Sequence, residues 1–411
     1  MEARKKDSIF PPISQVSSKT TDFLFKNSGF LILGTITALI MAAVDHHGYH
    51  GLVHHEVVPH INFHFIVNDV LMCFFFGLAM KEIYESFLPG GALSSPKKAA
   101  TPLLATAGGV VGPAGIFVGL AVWFGVNEVL RGWAIPCATD IAFSYLVARL
   151  VFGEKHPAIP FLLLLAIADD AVGLVILAVA YPSKAIDMPT FLMFVMGAIA
   201  FNLFIRKILR VQNFWLYLIV AGPLAWWGFY KGGIHPALAL VPIIPTLPHA
   251  THDEGLFAED HARDPLNAFE HSLKKPVELI LMLFGLANAG VVFSNMEEAT
   301  WFVTAGLLVG KPIGIFLMTA LAVKVFRLSL PDGMNFKDVF VLGAMAGIGF
   351  TVALFVSTVA FPPGATQDAA KMGALFSFAA AFMATASAFL LRVGVFNKKT
   401  ETAPDIEPET A

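Results

Sequence analysis

Apolar runs of about twenty residues recur along most of this chain. That length lets an α-helix cross the ~30 Å hydrocarbon core of a bilayer. Inside that core every backbone N–H and C=O must be satisfied within the protein, which favours helices as the spanning form. Composition agrees: 56% of the residues are hydrophobic and 14% charged, against roughly half and a quarter in soluble domains. Cys73 and Cys137 both lie in apolar runs, so neither a disulfide framework nor a thiolate zinc site is indicated. A net charge of −3 without a basic tract gives no footprint for nucleic acid. The expected class is an all-α integral membrane protein.

Breaks at glycine, proline and charged clusters divide the chain into about twelve transmembrane helices. We place these spans at 29–44, 66–88, 101–127, 134–151, 157–181, 189–209, 213–230, 233–248, 276–294, 300–324, 338–360 and 370–393. The first follows a basic segment and has a second reading as a signal peptide. No polar mature domain follows it, which favours a span. The domain organisation is then a tail at 1–28, one transmembrane unit at 29–393 and a tail at 394–411. Cytoplasmic loops carry an excess of Lys and Arg. With the N-terminus inside, 22 of the 27 fall on the cytoplasmic side; Arg131, Lys184, Lys231 and Lys371 fall outside, and Lys311 within a span. Both termini are expected in the cytoplasm.

On this path spans 3 to 5 begin inside and spans 10 to 12 begin outside, which points to an inverted three-helix repeat. Such repeats place substrate between interrupted helices near mid-membrane. Span 4 carries "AIPCATDIAFS", with Pro136, Thr139 and Asp140 near its centre. Span 11 carries "GAMAGIGFTVA", with Gly343, Gly347 and Gly349 at the same depth. Glycine leaves helical geometry cheaply, so two crossed broken helices are expected.

Span 5 holds Asp169 and Asp170 at its midpoint, flanked only by uncharged residues in "LLLLAIADDAVGLVILAVAY". A charged Asp at the bilayer centre costs about 2.5–3.5 kcal/mol on insertion scales. Neighbours on a helix point about 100° apart, so the two carboxylates meet different surroundings. A pair that ties helices together is the structural alternative; an ion or proton site is the functional reading of intramembrane acids. Lys311, at the middle of span 10, needs an anionic partner or a depressed pKa, and the Asp pair is the nearest candidate partner in depth. A purely structural ion pair is the rival use. Asp140 and Lys311 suit the partial charges at the ends of a broken helix. Carboxylate oxygens take hard cations and also take protons. A pair that binds one or the other couples two fluxes, and the physical reading is a cation/proton exchanger.

The stretches "WAIPCATDIAF", "LAIADDAVG", "GGIHPALA", "LANAGV", "VGKPIGIF" and "GIGFTVALF" occur here in the order found in the NhaA sodium/proton antiporters. The chain resembles that family over about Phe23 to Val393. The resemblance implies a bacterial inner-membrane antiporter that exchanges cytoplasmic Na⁺ or Li⁺ for external H⁺, with no cofactor. It also implies that Asp169 and Asp170 bind the cation and protons, Asp170 being the principal ligand. Thr139–Asp140 and Gly347–Gly349 then mark the helix breaks, and Asp140 and Lys311 balance their dipoles. Aligned on Asn68–Asp69, the family's regulatory glutamate falls on Glu82, in a stretch ("GLAMKEIYE") that departs from the usual pattern. Glu270 and His271 match the acid–histidine pair that opens the ninth helix. Lys274 replaces a histidine usual one turn later, which puts the family's pH profile in question here. A solvated helix end is the structural alternative for Glu82 and His271.

His235 reads as a buried neutral histidine bonded to a backbone carbonyl, and Asp69 as a helix N-cap. The tract Asp45–His64 holds seven of the thirteen histidines. Metal binding is one use of such a tract; the resemblance implies the other, a dimerisation hairpin in a homodimer. An organic-anion symporter on the same scaffold would need more polar residues at mid-depth. A pH- or metal-sensing membrane protein would rest on the His-rich loop. No nucleotide motif or nucleophile constellation points to an enzyme.

Overall fold

The computed structural model describes residues 28–59, 61–249, 264–293 and 296–397. Nearly all of the expected tails, and His60 of the His-rich tract, lie outside the described residues. Apart from one short ribbon, those residues are helical, in turns or irregular. The helices, in chain order, are α1 (Gly29–Val44), α2 (His46–His54), α3 (Phe63–Phe87), α4 (Pro96–Phe124), α5 (Ile141–Phe152), α6 (Ala158–Ala180) and α7 (Met188–Leu209). They continue as α8 (Phe214–Gly232), α9 (Pro265–Asn288), α10 (Glu298–Lys324), α11 (Phe336–Ala346), α12 (Phe350–Ala360), α13 (Ala365–Phe376) and α14 (Ala379–Leu391). The ribbon between α2 and α3 pairs β1 (Glu56–Val58) antiparallel with β2 (Ile61–Asn62).

Among the described residues, six helices are long and apolar enough to cross a membrane, or up to eight when each of two bent pairs counts as one span. The bent pairs are Asn127–Cys137 with α5, at 54°, and α11 with α12, at 50°. Trp123 and Phe382 are 84% and 80% exposed. Such large apolar side chains belong against lipid rather than water.

Helix starts follow local chemistry. Asp264 caps α9 by accepting from Asn267 N at 2.8 Å, with Pro265 in the first turn, where no donor is needed. Asn335 and Asp338 form a reciprocal capping box at the start of α11. Two boundaries correct the sequence reading. The segment 233–248 is not a regular helix; it holds short 3₁₀ turns at Pro236–Leu238 and Ile244–Thr246. Pro236, Pro242 and Pro245 each remove a ladder donor. In addition α9 starts at Pro265 rather than 276, running through Pro276 without a break.

Close backbone contact sets where α10 lies. A Cβ at Gly314 would strike Gly108 O of α4, and one at Gly310 would come within 2.6 Å of Pro113 Cα. Small residues allow this approach where apolar burial gives no drive between helices in lipid. The segment of α10 just before Lys311, Gly306–Gly310, is a π turn, a local widening of the helix often found at functional sites.

Candidate functional site at the crossing of two helix breaks

The first break falls where Pro136 closes a 3₁₀ turn (Ile135–Cys137) and the chain runs extended at Ala138 before α5. The second is Gly347–Gly349, between α11 and α12. Each break leaves backbone groups without helical partners, and each supplies partners to the other. Asp140 N donates to Ile348 O at 2.7 Å, and Thr139 Oγ1 to Ala346 O at 3.2 Å. Ser144 Oγ donates to Met345 O at 2.9 Å. The glycines are needed for space. Gly347 and Gly349 have ordinary negative φ, yet a Cβ on Gly349 would lie 2.6 Å from Ala138 O and one on Gly347 2.7 Å from Leu307 O.

Asp140 serves both new helix starts. Its carboxylate accepts from Phe143 N at 3.3 Å, capping α5, and from Thr351 N at 3.2 Å and the Thr351 hydroxyl at the start of α12. An anion there meets partial positive charge from two directions. Lys311 sits at the opposite end: its fully buried ammonium donates to Cys137 O, the last carbonyl of the first half-helix, and to Asp169 Oδ2 at 2.7 Å.

The two aspartates of α6 part company. Asp169 is buried, paired with Lys311 and packed against Thr139. Asp170 is half-buried and makes no hydrogen bond or ion pair among the described residues. The charges in its electrostatic reach are Asp169, Glu82, Asp140 and Lys311. Beside Asp169 lies a narrow cavity whose other lining, including Val110, Ile176, Val352 and Val356, is apolar.

A second charged cluster forms where α3 meets α9. Lys81, which the sequence reading passed over, is buried at its centre. It bonds Glu270 and lies 2.6 Å from Glu85. Lys274 approaches Glu270 from the other side at 3.8 Å. Glu82 is exposed, within electrostatic reach of Glu270, Lys81 and Lys274, but not paired with them. His271 is exposed. The Lys81–Glu85 spacing of four is the sequence signal for this cluster. Glu278, two turns beyond Glu270 on α9, was also passed over. Its carboxylate bonds Ser28, its Oε2 is buried without a hydrogen-bond partner among the described residues, and the group lies in electrostatic reach of Asp140. An acid in the apolar half of a span was the signal there.

Two smaller readings need correction. Asp69 is not an N-cap; it lies inside a π turn (Ile66–Leu71), and Asn62 caps the helix instead. His235 does not bond a backbone carbonyl. Its Nδ1 accepts from Ala237 N at 3.3 Å, and its Nε2 lies 4.0 Å from Asp69 Oδ1. In the His-rich tract, burial and the neighbouring His50 push the His54 imidazole below its ordinary value. Among the described residues no three His, Cys, Asp or Glu side chains converge to hold a metal ion.

The stretches that meet at the crossing are "WAIPCATDIAF", "LAIADDAVG", "VGKPIGIF" and "GIGFTVALF". The family model described as Na⁺/H⁺ antiporter 1 matches residues 24–390. The chain belongs to the Na⁺/H⁺ antiporter 1 family. A relative named Na(+)/H(+) antiporter NhaA, from Jannaschia sp. (strain CCS1), is 50% identical over 401 residues, covering 88% of this chain and 95% of the relative. Proteins of the same name from Desulfitobacterium hafniense (strain DSM 10664 / DCB-2) and Geotalea uraniireducens (strain Rf4) are 50% and 48% identical. They cover 90% and 88% of this chain, and 95% and 94% of their own lengths. Membership of the antiporter family and the long apolar helices make this a multi-pass membrane protein.

Proposed function

We propose that the protein is an electrogenic antiporter that expels cytoplasmic Na⁺ or Li⁺ in exchange for external protons, with Asp169 and Asp170 as the shared site. The observation that carries this reading is the unequal Asp pair beside the crossed breaks, one carboxylate tied to Lys311 and the other unpaired. The names of the relatives support the ions.

An unpaired carboxylate next to a second acid favours whatever positive species arrives, a small hard cation or a proton. Occupancy by one excludes the other, and that exclusion couples the fluxes. Asp140 and Lys311 compensate the half-helix ends, so the crossing holds without engaging Asp170. When Asp169 or Lys311 also exchanges a proton, more than one proton enters per Na⁺ expelled. A negative-inside potential then drives the cycle. Alternating access rests on spans 3 to 5 and 10 to 12 forming inverted repeats of a twelve-span unit with both ends in the cytoplasm, in the bacterial inner membrane. Glu82, Glu270 and His271 act as the pH-responsive group at the cytoplasmic mouth, with Lys81 holding Glu270. The β1–β2 ribbon is the homodimer contact.

The test is proton flux in proteoliposomes carrying an imposed pH gradient. Na⁺ and Li⁺ are expected to collapse the gradient and to generate a membrane potential; K⁺ is not. A gradient indifferent to all three ions would overturn the reading.

A further inference from the structure

The exchange chemistry makes no use of α2. Its His46, His50 and His54 recur every fourth residue and form one stripe along the helix. Their rings stand in sequence: His46–His50 centroids at 6.4 Å, His50–His54 at 4.2 Å, and His54 to His64 of α3 at 5.6 Å.

The adjoining stripe fixes the helix. Tyr49 and Val53 are buried, 6% and 2% exposed. The Tyr49 hydroxyl donates to Leu286 O at 2.8 Å and accepts from Gly290 N at 3.2 Å, at the end of α9. Asp45 caps the first turn by accepting from Gly48 N at 2.9 Å. With these anchors α2 cannot roll about its axis, and the histidine stripe keeps its position while the His50 ring stays exposed.

Neutral imidazole suits the borderline metals Zn²⁺, Cu²⁺ and Ni²⁺. Two histidines one turn apart on a helix can bind the same ion. His64 does not complete a triad. The Asn68 amide NH₂ can only donate, and it donates to His64 Nε2 at 2.8 Å, occupying that lone pair. Asn68 is held in turn by a reciprocal amide pair with Asn288, at 3.0 and 2.9 Å. Hard cations such as Na⁺ or Mg²⁺ prefer oxygen ligands, so a site of imidazoles is chemically distinct from the Asp pair.

We propose that His50 and His54 form a two-histidine clamp for a first-row divalent transition metal, Zn²⁺, Cu²⁺ or Ni²⁺, with water completing the shell.

The experiment is calorimetric titration of the full-length, tag-free protein in detergent with ZnCl₂ and with NiCl₂ at neutral pH. One saturable site per chain is expected. His50→Gln and His54→Gln should each weaken it by about tenfold or more, at least the loss seen when only a supporting partner is removed. His47→Gln should leave it unchanged, because among the described residues the ring contacts run from His46 through His50 and His54 to His64 and none includes His47. A second readout guards against misfolding: Zn²⁺ should raise the melting temperature of the wild-type protein by mass action and raise that of His50→Gln clearly less at the same concentration. Three results would each overturn the clamp: no saturable binding in the wild type, wild-type affinity in His50→Gln or His54→Gln, or equal loss in His47→Gln.

Discussion

Lys311 Nζ donates to Asp169 Oδ2 at 2.7 Å while the same ammonium holds the Cys137 carbonyl at the first helix break. One cation thus joins three elements: α10, the midpoint of α6 and the half-helix before α5. The bond also makes the two aspartates unequal, because Asp170 has no such partner. A site with one compensated and one uncompensated carboxylate attracts a single positive charge more strongly than a doubly paired site would.

Lys311→Ala should melt lower than wild type. It leaves Asp169 buried and unpaired, and breaking a buried pair from one side costs about 3–5 kcal/mol. Lys311→Arg keeps the charge, and arginine does not deprotonate in proteins. The arginine variant is expected to stay active and electrogenic, with an altered pH dependence. Thermal stability in detergent and transport current check both variants. A stable but electroneutral arginine variant would make Lys311 itself the proton carrier.

Asp170→Asn should abolish Na⁺-dependent proton flux while the protein still accumulates in the membrane and melts near or above the wild-type temperature. The amide removes the titratable group and the negative charge but keeps the size. Because Asp170 makes no ion pair among the described residues, no partner there is orphaned by the change. Flux retained at the wild-type level would remove Asp170 from the exchange site.

Much of this site is written in local signals. The first span was expected at 29–44 and α1 occupies Gly29–Val44, because a continuous apolar run needs only its ends marked. Pro136 announced the first break by removing a donor. The bonds that close the crossing, from Thr351 to Asp140 and from Ser144 to Met345, join residues some two hundred positions apart, and no local pattern encodes them. The glycines of the second break were legible as a weak point but for the wrong reason. They have ordinary φ and are needed because Ala138 and Leu307 leave no room for a Cβ. The segment 233–248 misled because hydropathy reports apolarity and ignores the ladder donors lost at Pro236, Pro242 and Pro245. Lys81 escaped notice because its partner Glu270 lies on a distant helix.

Gly314→Ala should destabilise the protein by about 1–3 kcal/mol, the usual range for overpacking a tight interface. The added methyl strikes Gly108 O, which is backbone and cannot swing aside. Separating α4 from α10 would also carry Lys311 away from Asp169, so transport should fall along with the melting temperature. Gly115→Ala on α4, the helix that carries Gly108, meets nothing within 4 Å and serves as the control. Equal melting temperatures for the two variants would contradict backbone contact at this crossing.

Thr351→Val isolates the bond between the two breaks. Valine has nearly the shape of threonine but lacks the hydroxyl, so Asp140 loses one donor and keeps those from Phe143 N and Thr351 N. Hydrogen bonds to charged groups contribute about 1.5–3 kcal/mol, and the buried Asp140 cannot recover its loss from bulk water. The variant should therefore melt lower, and Thr351→Ser, which restores the hydroxyl, should recover most of the difference. Asp140→Asn probes the same point from the other side. It keeps a side-chain oxygen for one donor but gives up the charge that faces both half-helix starts, so it should melt lower than Thr351→Val. Thermal unfolding of all three variants in one detergent is the measurement. Wild-type stability in Thr351→Val would mean that the crossing is held by backbone bonds alone, chiefly Asp140 N to Ile348 O.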